Sequence, residues 1–192
     1  MTNAVEAWRR AVAAELSPQR LAHVEGVVRQ ALHWWRAWGA AGASETQVLA
    51  AAWLHDIAKE RPKAELRTLL DEWVPALDPE EAASPSLWHA PVGAEWARRR
   101  LGVGDAAVWS AIRWHPIGRV DMSDLDAILM AADFTEPGRE FAAAEPVRAA
   151  CARGMGPGLI AVLEAKITFG LKAGRAVHPN TLAARNAWLR RL

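Results

Sequence analysis

Apolar residues recur every three or four positions along most of this chain, and proline, glycine and capping residues interrupt the pattern. This period is that of an amphipathic α-helix. A half-buried strand would instead alternate apolar and polar residues, and no convincing run of that kind occurs. The pattern therefore predicts an all-α fold.

Local signals mark where the predicted helices begin and end. Ser17-Pro18 combines an N-cap with proline at the first helical position, and Ser44 opens a capping box. Pro116 ends a helix because the residue before a proline avoids the α region. The predicted helices cover residues 3–15, 18–38, 44–59, a short segment after Pro62, 91–102, 105–115, 123–136, about 145–153, about 157–173 and about 180–191, and the segment with Pro75, Pro79 and Pro85 is predicted as a loop.

Composition favours one globular domain, or one domain with a small appendage. The chain has 192 residues, of which 52% are hydrophobic and 23% charged, enough to bury a sizeable core. The formal net charge of +1 argues against a protein that wraps a nucleic-acid duplex. The basic run 98–100 is interpreted as a solvated helix face. We therefore expect no nucleic-acid partner.

The single cysteine and the hydropathy pattern indicate the cellular compartment in which we expect the protein. Cys151 cannot form an intramolecular disulfide, which fits a reducing interior. The longest strongly apolar run, Val48 to Leu54, is far shorter than the roughly 20 residues needed to span a bilayer. We expect a cytoplasmic protein with no membrane association.

Histidine and aspartate occur on helical faces that also carry apolar residues. On the helix predicted after Ser44, His55 and Asp56 share one face with Val48 and Ala52. That face must be buried, and an uncompensated carboxylate there would cost several kcal/mol. Three other helices carry similar stripes: Val108 and Ile112 lead to His115, Leu125, Leu129 and Ala132 lead to Asp133, and Val27 and Ala31 follow His23. His89 directly precedes the helix predicted from Pro91.

Each of these placements also has a simpler interpretation. A single histidine on an apolar face is commonly a hydrogen-bonded core residue, and a single aspartate at a helix end is commonly a cap. The adjacent pair His55-Asp56 is harder to explain in that way, because two buried acids and several histidines need a shared counter-charge. A divalent cation supplies it. Imidazole and carboxylate ligands suit a first-row transition metal better than calcium.

These residues resemble a known family. The segment AAWLHDIAK (51–59) resembles the signature of the HD-domain phosphohydrolases, with His23 before it and Asp133 after it. WHAPVGA (88–94), AIRWHPIGR (111–119), MSDLDAILMAADFTEPGR (122–139) and NTLAARNAWL (180–189) are similar to the bacterial YqeK group. The resemblance implies an all-α HD-domain helical bundle. We expect a single domain over residues 1–192, with a metal-binding core at about 18–140 and C-terminal helices 141–192 packed on it.

The resemblance also implies an activity and a ligand set. YqeK-type enzymes split diadenosine tetraphosphate symmetrically into two ADP, through a metal-activated hydroxide. One metal would be held by His23, His55, Asp56 and Asp133, and a second by His89 and His115 with Asp56 as the bridge. Iron is implied, with two ions, although the ligands by themselves do not separate iron from manganese or another transition ion. Asp133 would also orient the nucleophilic water or accept its proton.

Basic residues near the implied ligands are candidates for the substrate phosphates. Lys59 lies one turn beyond the His-Asp pair and is assigned a catalytic, phosphate-contacting role. Arg20, Arg119 and Arg139 are plausible fork-type donors. A solvated base or an ion pair, such as Arg139 with Glu136, is the alternative for each.

Two other functions remain compatible with the sequence. An HD-domain nucleotidase or phosphodiesterase would keep the site and act on another nucleotide. A non-enzymatic nucleotide sensor or assembly factor would bind a nucleotide to control an interaction, although a bridged metal pair is not needed for binding alone. The sequence is also compatible with a homodimer, because eleven tryptophans need burial.

Overall fold

The computed structural model describes residues 3–191, which form eleven helices and no strand. The all-α prediction is confirmed. No helix within this range is both long and apolar enough to cross a membrane. In chain order the helices are α1 (Asn3–Glu15), α2 (Pro18–Ala37), α3 (Glu45–Leu54), α4 (Lys63–Trp73), α5 (Pro79–Ala82), α6 (His89–Leu101), α7 (Ala106–Trp114), α8 (Asp124–Thr135), α9 (Ala144–Ala152), α10 (Met155–Lys172) and α11 (Pro179–Leu189).

The predicted caps are present at three of the helices that position the site. Ser17 accepts a hydrogen bond from Arg20 N at the start of α2. Ser44 opens α3 and Ser123 opens α8, each with a complete capping box. These caps satisfy N–H groups that have no partner inside the helix, so the sequence placed three helix starts correctly.

The third helix is shorter than predicted. It ends at Leu54 rather than at Lys59, and residues 55–60 continue as tight turns in which Lys59 N donates to Asp56 O at 2.8 Å. The prediction of one shared helical face through Asp56 was therefore wrong in detail. The apolar pattern could not reveal this end, because residues 50–54 are all buried and the C-terminal half of α3 has no exposed side to contrast with its inner face.

The segment predicted as a loop contains the short helix α5. Asp78 caps it, and proline occupies its first turn. Glu81 on α5 is buried and forms a bidentate pair with Arg113 of α7. The pairing joins residues 32 positions apart, so local sequence signals could not show it. The structure also begins α6 at His89, two residues before the predicted start at Pro91.

The bundle is organised around α8, whose residues from Leu125 to Ala132 are all buried. Helices α2, α7, α9 and α10 pack against it, and α3 packs on both α2 and α7. Helix α11 packs on α10. This arrangement brings the ends of α3, α7 and α8 near one side of α2, where the polar residues singled out in the sequence lie.

Candidate metal centre

Six polar side chains from five segments meet inside the bundle. His23 lies on α2, His55 and Asp56 lie directly after α3, and His89 lies in the first turn of α6. The remaining two are His115, the C-cap residue of α7, and Asp133, in the last turn of α8. Most of them sit where a helix begins or ends, so side chains from different directions can converge there. The structure therefore brings together all six residues that the sequence proposed as ligands.

The Asp56 carboxylate lies at the centre of the cluster. Its Oδ2 is 3.9 Å from His23 Nε2 and 3.6 Å from His55 Nε2. Its Oδ1 is 3.3 Å from His89 Nε2 and 3.8 Å from His115 Nε2. Each oxygen of one carboxylate therefore faces a different pair of imidazoles. Two groups able to hold a metal ion result, and Asp56 belongs to both.

Asp133 extends the group that contains His23 and His55. Its Oδ1 lies 3.2 Å from His23 Nε2 and 4.0 Å from His55 Nε2. Ligand atoms around a first-row metal at about 2.1 Å are themselves about 3 to 3.5 Å apart. The observed separations are close to this range.

The four histidines are held in one orientation by their Nδ1 atoms. In three of them, Nδ1 donates to the backbone carbonyl three residues earlier, at 2.8 Å for His55, 2.9 Å for His89 and 2.8 Å for His115. His23 Nδ1 instead donates to Glu136 Oε1 at 3.0 Å. A bonded Nδ1–H leaves the Nε2 lone pair free to bind a metal, and every Nε2 points into the cluster.

Several polar atoms of the cluster are buried without a hydrogen-bond partner. They are His23 Nε2, His55 Nε2 and Asp56 Oδ1. Buried polar atoms are almost always satisfied, so such a group requires an explanation. With Nδ1 protonated, all three atoms are lone-pair donors, and a shared cation is the partner that would satisfy them together. The residues present therefore fit a divalent metal.

The electrostatics hold Asp56, His89 and His115 in the protonation states that a metal requires. Burial would raise the pKa of Asp56, but His55, Lys59 and His89 outweigh it and hold that pKa well below its usual range. Burial lowers the pKa of His115 to about 3 and lowers the pKa of His89 well below its ordinary value. Asp56 is therefore a carboxylate and these imidazoles are neutral near neutral pH.

His23 behaves differently from the deeper histidines. Burial lowers its pKa, but the nearby carboxylates of Asp133 and Glu136 outweigh this, so the pKa is raised. Glu136 thus supports His23 from the side away from the cluster. The sequence considered this glutamate only as an ion-pair partner of Arg139, and the Nε–Oε1 distance of that pair is 3.9 Å.

A glycine on α2 makes room for Glu136. A Cβ atom at Gly26 would lie 2.5 Å from Glu136 Oε2. That carboxylate cannot easily move away, because Gly138 N donates to it at 2.6 Å while His23 Nδ1 holds the other oxygen. Gly26, one turn after His23, therefore leaves the space that Glu136 needs to accept the hydrogen bond from His23. Neither residue carried a recognisable signal in the sequence.

Replacing Glu136 with glutamine is expected to weaken metal binding and turnover by roughly 10- to 100-fold. The amide would remove the negative charge that increases the basicity of the His23 ring, while keeping the size of the side chain. Metal affinity, measured by competition with a chelator, checks this. Glu140→Gln, on the exposed loop of the same segment, is the matched control and should retain both properties. Unchanged affinity in Glu136→Gln would contradict the supporting role.

Three of the four predicted phosphate-binding residues lie at the cluster. Arg20 Nη1 is 3.3 Å from Asp56 Oδ2. Lys59 Nζ is 3.1 Å from His89 Nε2 and 3.8 Å from Asp56 Oδ1. Arg139 Nη2 is 2.7 Å from Asp133 Oδ1. The carboxylates are thus surrounded by cations, an arrangement that suits a polyanionic ligand.

Arg119 lies elsewhere. Its Nη2 is 4.0 Å from Asp126 Oδ2, in the first turn of α8. Asp133 is in the last turn of the same helix, and seven residues of helix span about 10 Å. The contacts of the cluster therefore lend no support to a phosphate-binding role for Arg119, which stays a prediction.

Lys166 on α10 is a basic residue near the site that the sequence did not single out. Its ammonium donates to Pro116 O at 3.0 Å, next to His115. Burial lowers its pKa, and the charges of Lys59 and Arg139 add to this while Asp133 opposes it. Because α10 is far from the other site residues in sequence, only the packing of α10 on α8 brings Lys166 here.

A cavity of about 460 Å³ leads to the His23 side of the cluster. Arg20, Arg29, Glu136 and Arg139 line it together with His23. It is large enough for part of a nucleotide, and its three arginines outnumber the two glutamates, Glu60 and Glu136, that also line it.

Comparisons with known proteins agree with this site. The family described as HD domain matches residues 20–138, a range that includes all six cluster residues. Two curated relatives are named "Bis(5'-nucleosyl)-tetraphosphatase, symmetrical". The relative from Halalkalibacterium halodurans is 36% identical over 178 residues, and the one from Bacillus subtilis is 35% identical over 181 residues. Both matches cover 93% of this chain and 93% of the relative. The chain belongs to this HD-domain family.

A solved structure shares the whole HD-domain fold. It comes from Clostridium acetobutylicum and is described as a predicted HD superfamily hydrolase involved in NAD metabolism. It superposes with a TM-score of 0.90 at 27% sequence identity, covering 97% of both chains. The bundle described above, including α9 to α11, is therefore the fold of an HD-superfamily hydrolase.

Proposed function

We propose that this HD-domain protein hydrolyses diadenosine tetraphosphate symmetrically, giving two ADP. The observation that carries the proposal is the position of Asp56 between two pairs of histidines, in a chain whose relatives are symmetrical tetraphosphatases. The surrounding Arg20, Lys59 and Arg139 provide the positive charge that a tetraphosphate chain requires.

The cofactor we propose is a pair of divalent transition metals. His23, His55, Asp56 and Asp133 would hold one ion, and His89 and His115 would hold the second with Asp56 shared. Iron is the ion that the resemblance implies, with manganese as the alternative. When bound, such a pair lowers the pKa of a coordinated water and neutralises charge on phosphoryl oxygens.

In the proposed reaction, the residues of the chain orient the tetraphosphate and the water. The water oxygen forms a bond to one central phosphorus and gives up one proton to the solvent. The bond from that phosphorus to the central bridging oxygen breaks, so one ADP leaves with that oxygen and the other keeps the oxygen of the water. Arg20, Lys59 and Arg139 stabilise the charge on the phosphate chain. Burial would raise the pKa of Asp133, but the adjacent His23 and the charge of Arg139 outweigh this and hold that pKa well below its usual range. Asp133 therefore suits metal binding and orientation better than proton abstraction.

The products test the proposed reaction directly. Incubation of metal-loaded protein with diadenosine tetraphosphate is expected to yield ADP alone, measured by chromatography at early and late times. ATP and AMP in equal amounts would contradict symmetrical cleavage. A preference for nucleoside monophosphates in a panel ranked by kcat/KM would instead favour another HD-domain nucleotidase.

Replacing Lys59 with methionine is expected to raise KM for diadenosine tetraphosphate by roughly 10- to 100-fold, because a hydrogen bond to a charged group contributes about 1.5 to 3 kcal/mol. Steady-state kinetics and metal content check this, and the metal content should stay unchanged. Lys172→Met, on the exposed end of α10, is the control. An unchanged KM in Lys59→Met would remove Lys59 from the phosphate-binding set.

Other expectations stay predictions. They are the cytoplasmic location, the homodimer, the absence of a nucleic-acid partner and the division between a core at 18–140 and helices 141–192. Size-exclusion chromatography with light scattering tests the homodimer, and filter binding with duplex DNA and RNA tests the nucleic-acid expectation.

A further inference from the structure

A second cavity lies beside the segments that precede His89 and follow His115. It measures about 420 Å³, and its walls come from α10, from the segment before α11, and from the residues around Pro116 and Ser86. Pro116 directly follows His115, and Ser86 O accepts the hydrogen bond from His89 Nδ1. The chain segments that carry His89 and His115 therefore border this cavity, whereas His23 itself lines the cavity that contains Arg20 and Arg139.

The chemistry of this second cavity suits a nucleotide. Phe169 presents an aromatic ring that is 62% exposed, and the Arg175 guanidinium carbon lies 5.6 Å from the ring centroid. Lys166 stands at the side nearest the cluster. Its hydrogen bond to Pro116 O uses one of three N–H groups, so two remain for a ligand. Among the described residues that line the cavity, no side chain is acidic.

The cavity wall depends on a glycine of α10. A Cβ atom at Gly170 would lie 2.7 Å from Val177 Cγ2, so only glycine lets the chain after α10 fold back this closely. Arg175 N donates a hydrogen bond to Gly170 O at 2.9 Å, and this bond stabilises the reversal of the chain after α10. The fold thus places Lys166, Phe169, Arg175 and His178 around one space.

We propose that this cavity binds one ADP half of the dinucleotide, with adenine stacked on Phe169 and the phosphates contacting Lys166. The cavity beside His23 then holds the other half. This inference rests on the proposed function, and it explains the symmetry of cleavage. With one nucleotide half in each cavity, the middle of the tetraphosphate, rather than its end, would lie at the cluster. The volume is within the range of small-ligand sites.

Phe169→Ala tests the stacking contact, with Leu171→Ala as its matched control. Leu171 lies two residues further along the same helix, is 70% exposed and does not line the cavity. Stacking of a base on an aromatic ring contributes about 1 to 3 kcal/mol, so Phe169→Ala should raise KM for diadenosine tetraphosphate by roughly tenfold. Leu171→Ala should leave KM unchanged, and both variants should retain full metal content.

Direct binding provides a readout that does not depend on turnover. Isothermal titration calorimetry of the metal-loaded protein with ADP should show weaker binding in Phe169→Ala, again by roughly tenfold at the affected site. Tripolyphosphate has no base, so its affinity should be the same in Phe169→Ala and in the unaltered protein. Lys166→Met should weaken the binding of both probes.

Three results would overturn the inference. They are an unchanged ADP affinity in Phe169→Ala, an equal loss in Leu171→Ala, and a change in oligomeric state on sedimentation without a change in ADP affinity. The last result would assign Phe169 to an interface between copies of the chain. Failure of the unaltered protein to hydrolyse diadenosine tetraphosphate would overturn the proposed function instead, and the ADP titrations would still report on the cavity.

Discussion

Replacing Asp56 with asparagine is expected to abolish retention of both metals and to lower kcat/KM by on the order of 10³-fold or more. The two carboxylate oxygens face different histidine pairs, at 3.6 and 3.9 Å on one side and 3.3 and 3.8 Å on the other. An amide has a single acceptor oxygen and no charge, so it cannot serve both groups. Metal content per chain, measured by elemental analysis after anaerobic purification, and steady-state kinetics check the prediction.

Asp126→Asn is a control matched for burial. The Asp126 carboxylate is 2% exposed, like that of Asp56, but it accepts hydrogen bonds from Ser110 and Ser123. Its loss should lower stability while the protein keeps its metal. Full metal content and turnover in Asp56→Asn would refute the bridging role. Loss of one metal only would show that the two groups bind independently.

Removal of the metal is expected to lower the melting temperature by about 10 °C. A ligand present at 1,000 times its Kd stabilises the folded state by about 4 kcal/mol. For a chain of this size, each kcal/mol shifts the melting temperature by about 2 to 4 °C. Without a cation, the buried Nε2 atoms of His23 and His55 and Oδ1 of Asp56 have no partner. Differential scanning calorimetry with and without a chelator measures the shift.

The Asp56→Asn variant is the control for this effect, because it should show little response to the chelator. Addition of Fe²⁺ or Mn²⁺ to the chelated protein should restore the higher melting temperature, and the ion that restores it at the lowest concentration is the preferred one. An identical melting temperature with and without the chelator would mean that the cluster is stable without a metal.

Local signals in the sequence predicted much of the fold. The helical period, together with Ser17, Ser44 and Ser123, located the starts of three helices around the site, because caps and periodicity depend on neighbours within a few residues. Helix ends were less accessible. In α3 the apolar run continues through Leu54 into the turns of residues 55–60, and burial on every side leaves no contrast to mark the end.

The sequence by itself determined which residue types are available for the site. His23, His55, Asp56, His89, His115 and Asp133 stood out because polar groups on apolar faces need a partner. Their resemblance to a family with a known order of ligands then supplied the grouping around Asp56. Each of these signals lies in a short segment.

Only the tertiary structure decided how those segments meet. In the folded protein, the two oxygens of Asp56 face different histidine pairs, and Glu136 lies behind His23 in the space left by Gly26. The tertiary structure also brings Lys166 from α10 to Pro116. Apart from the contact of Asp56 with the neighbouring His55, these contacts join residues 30 or more positions apart. Their distances follow from how the helices pack, which no local pattern in the chain records.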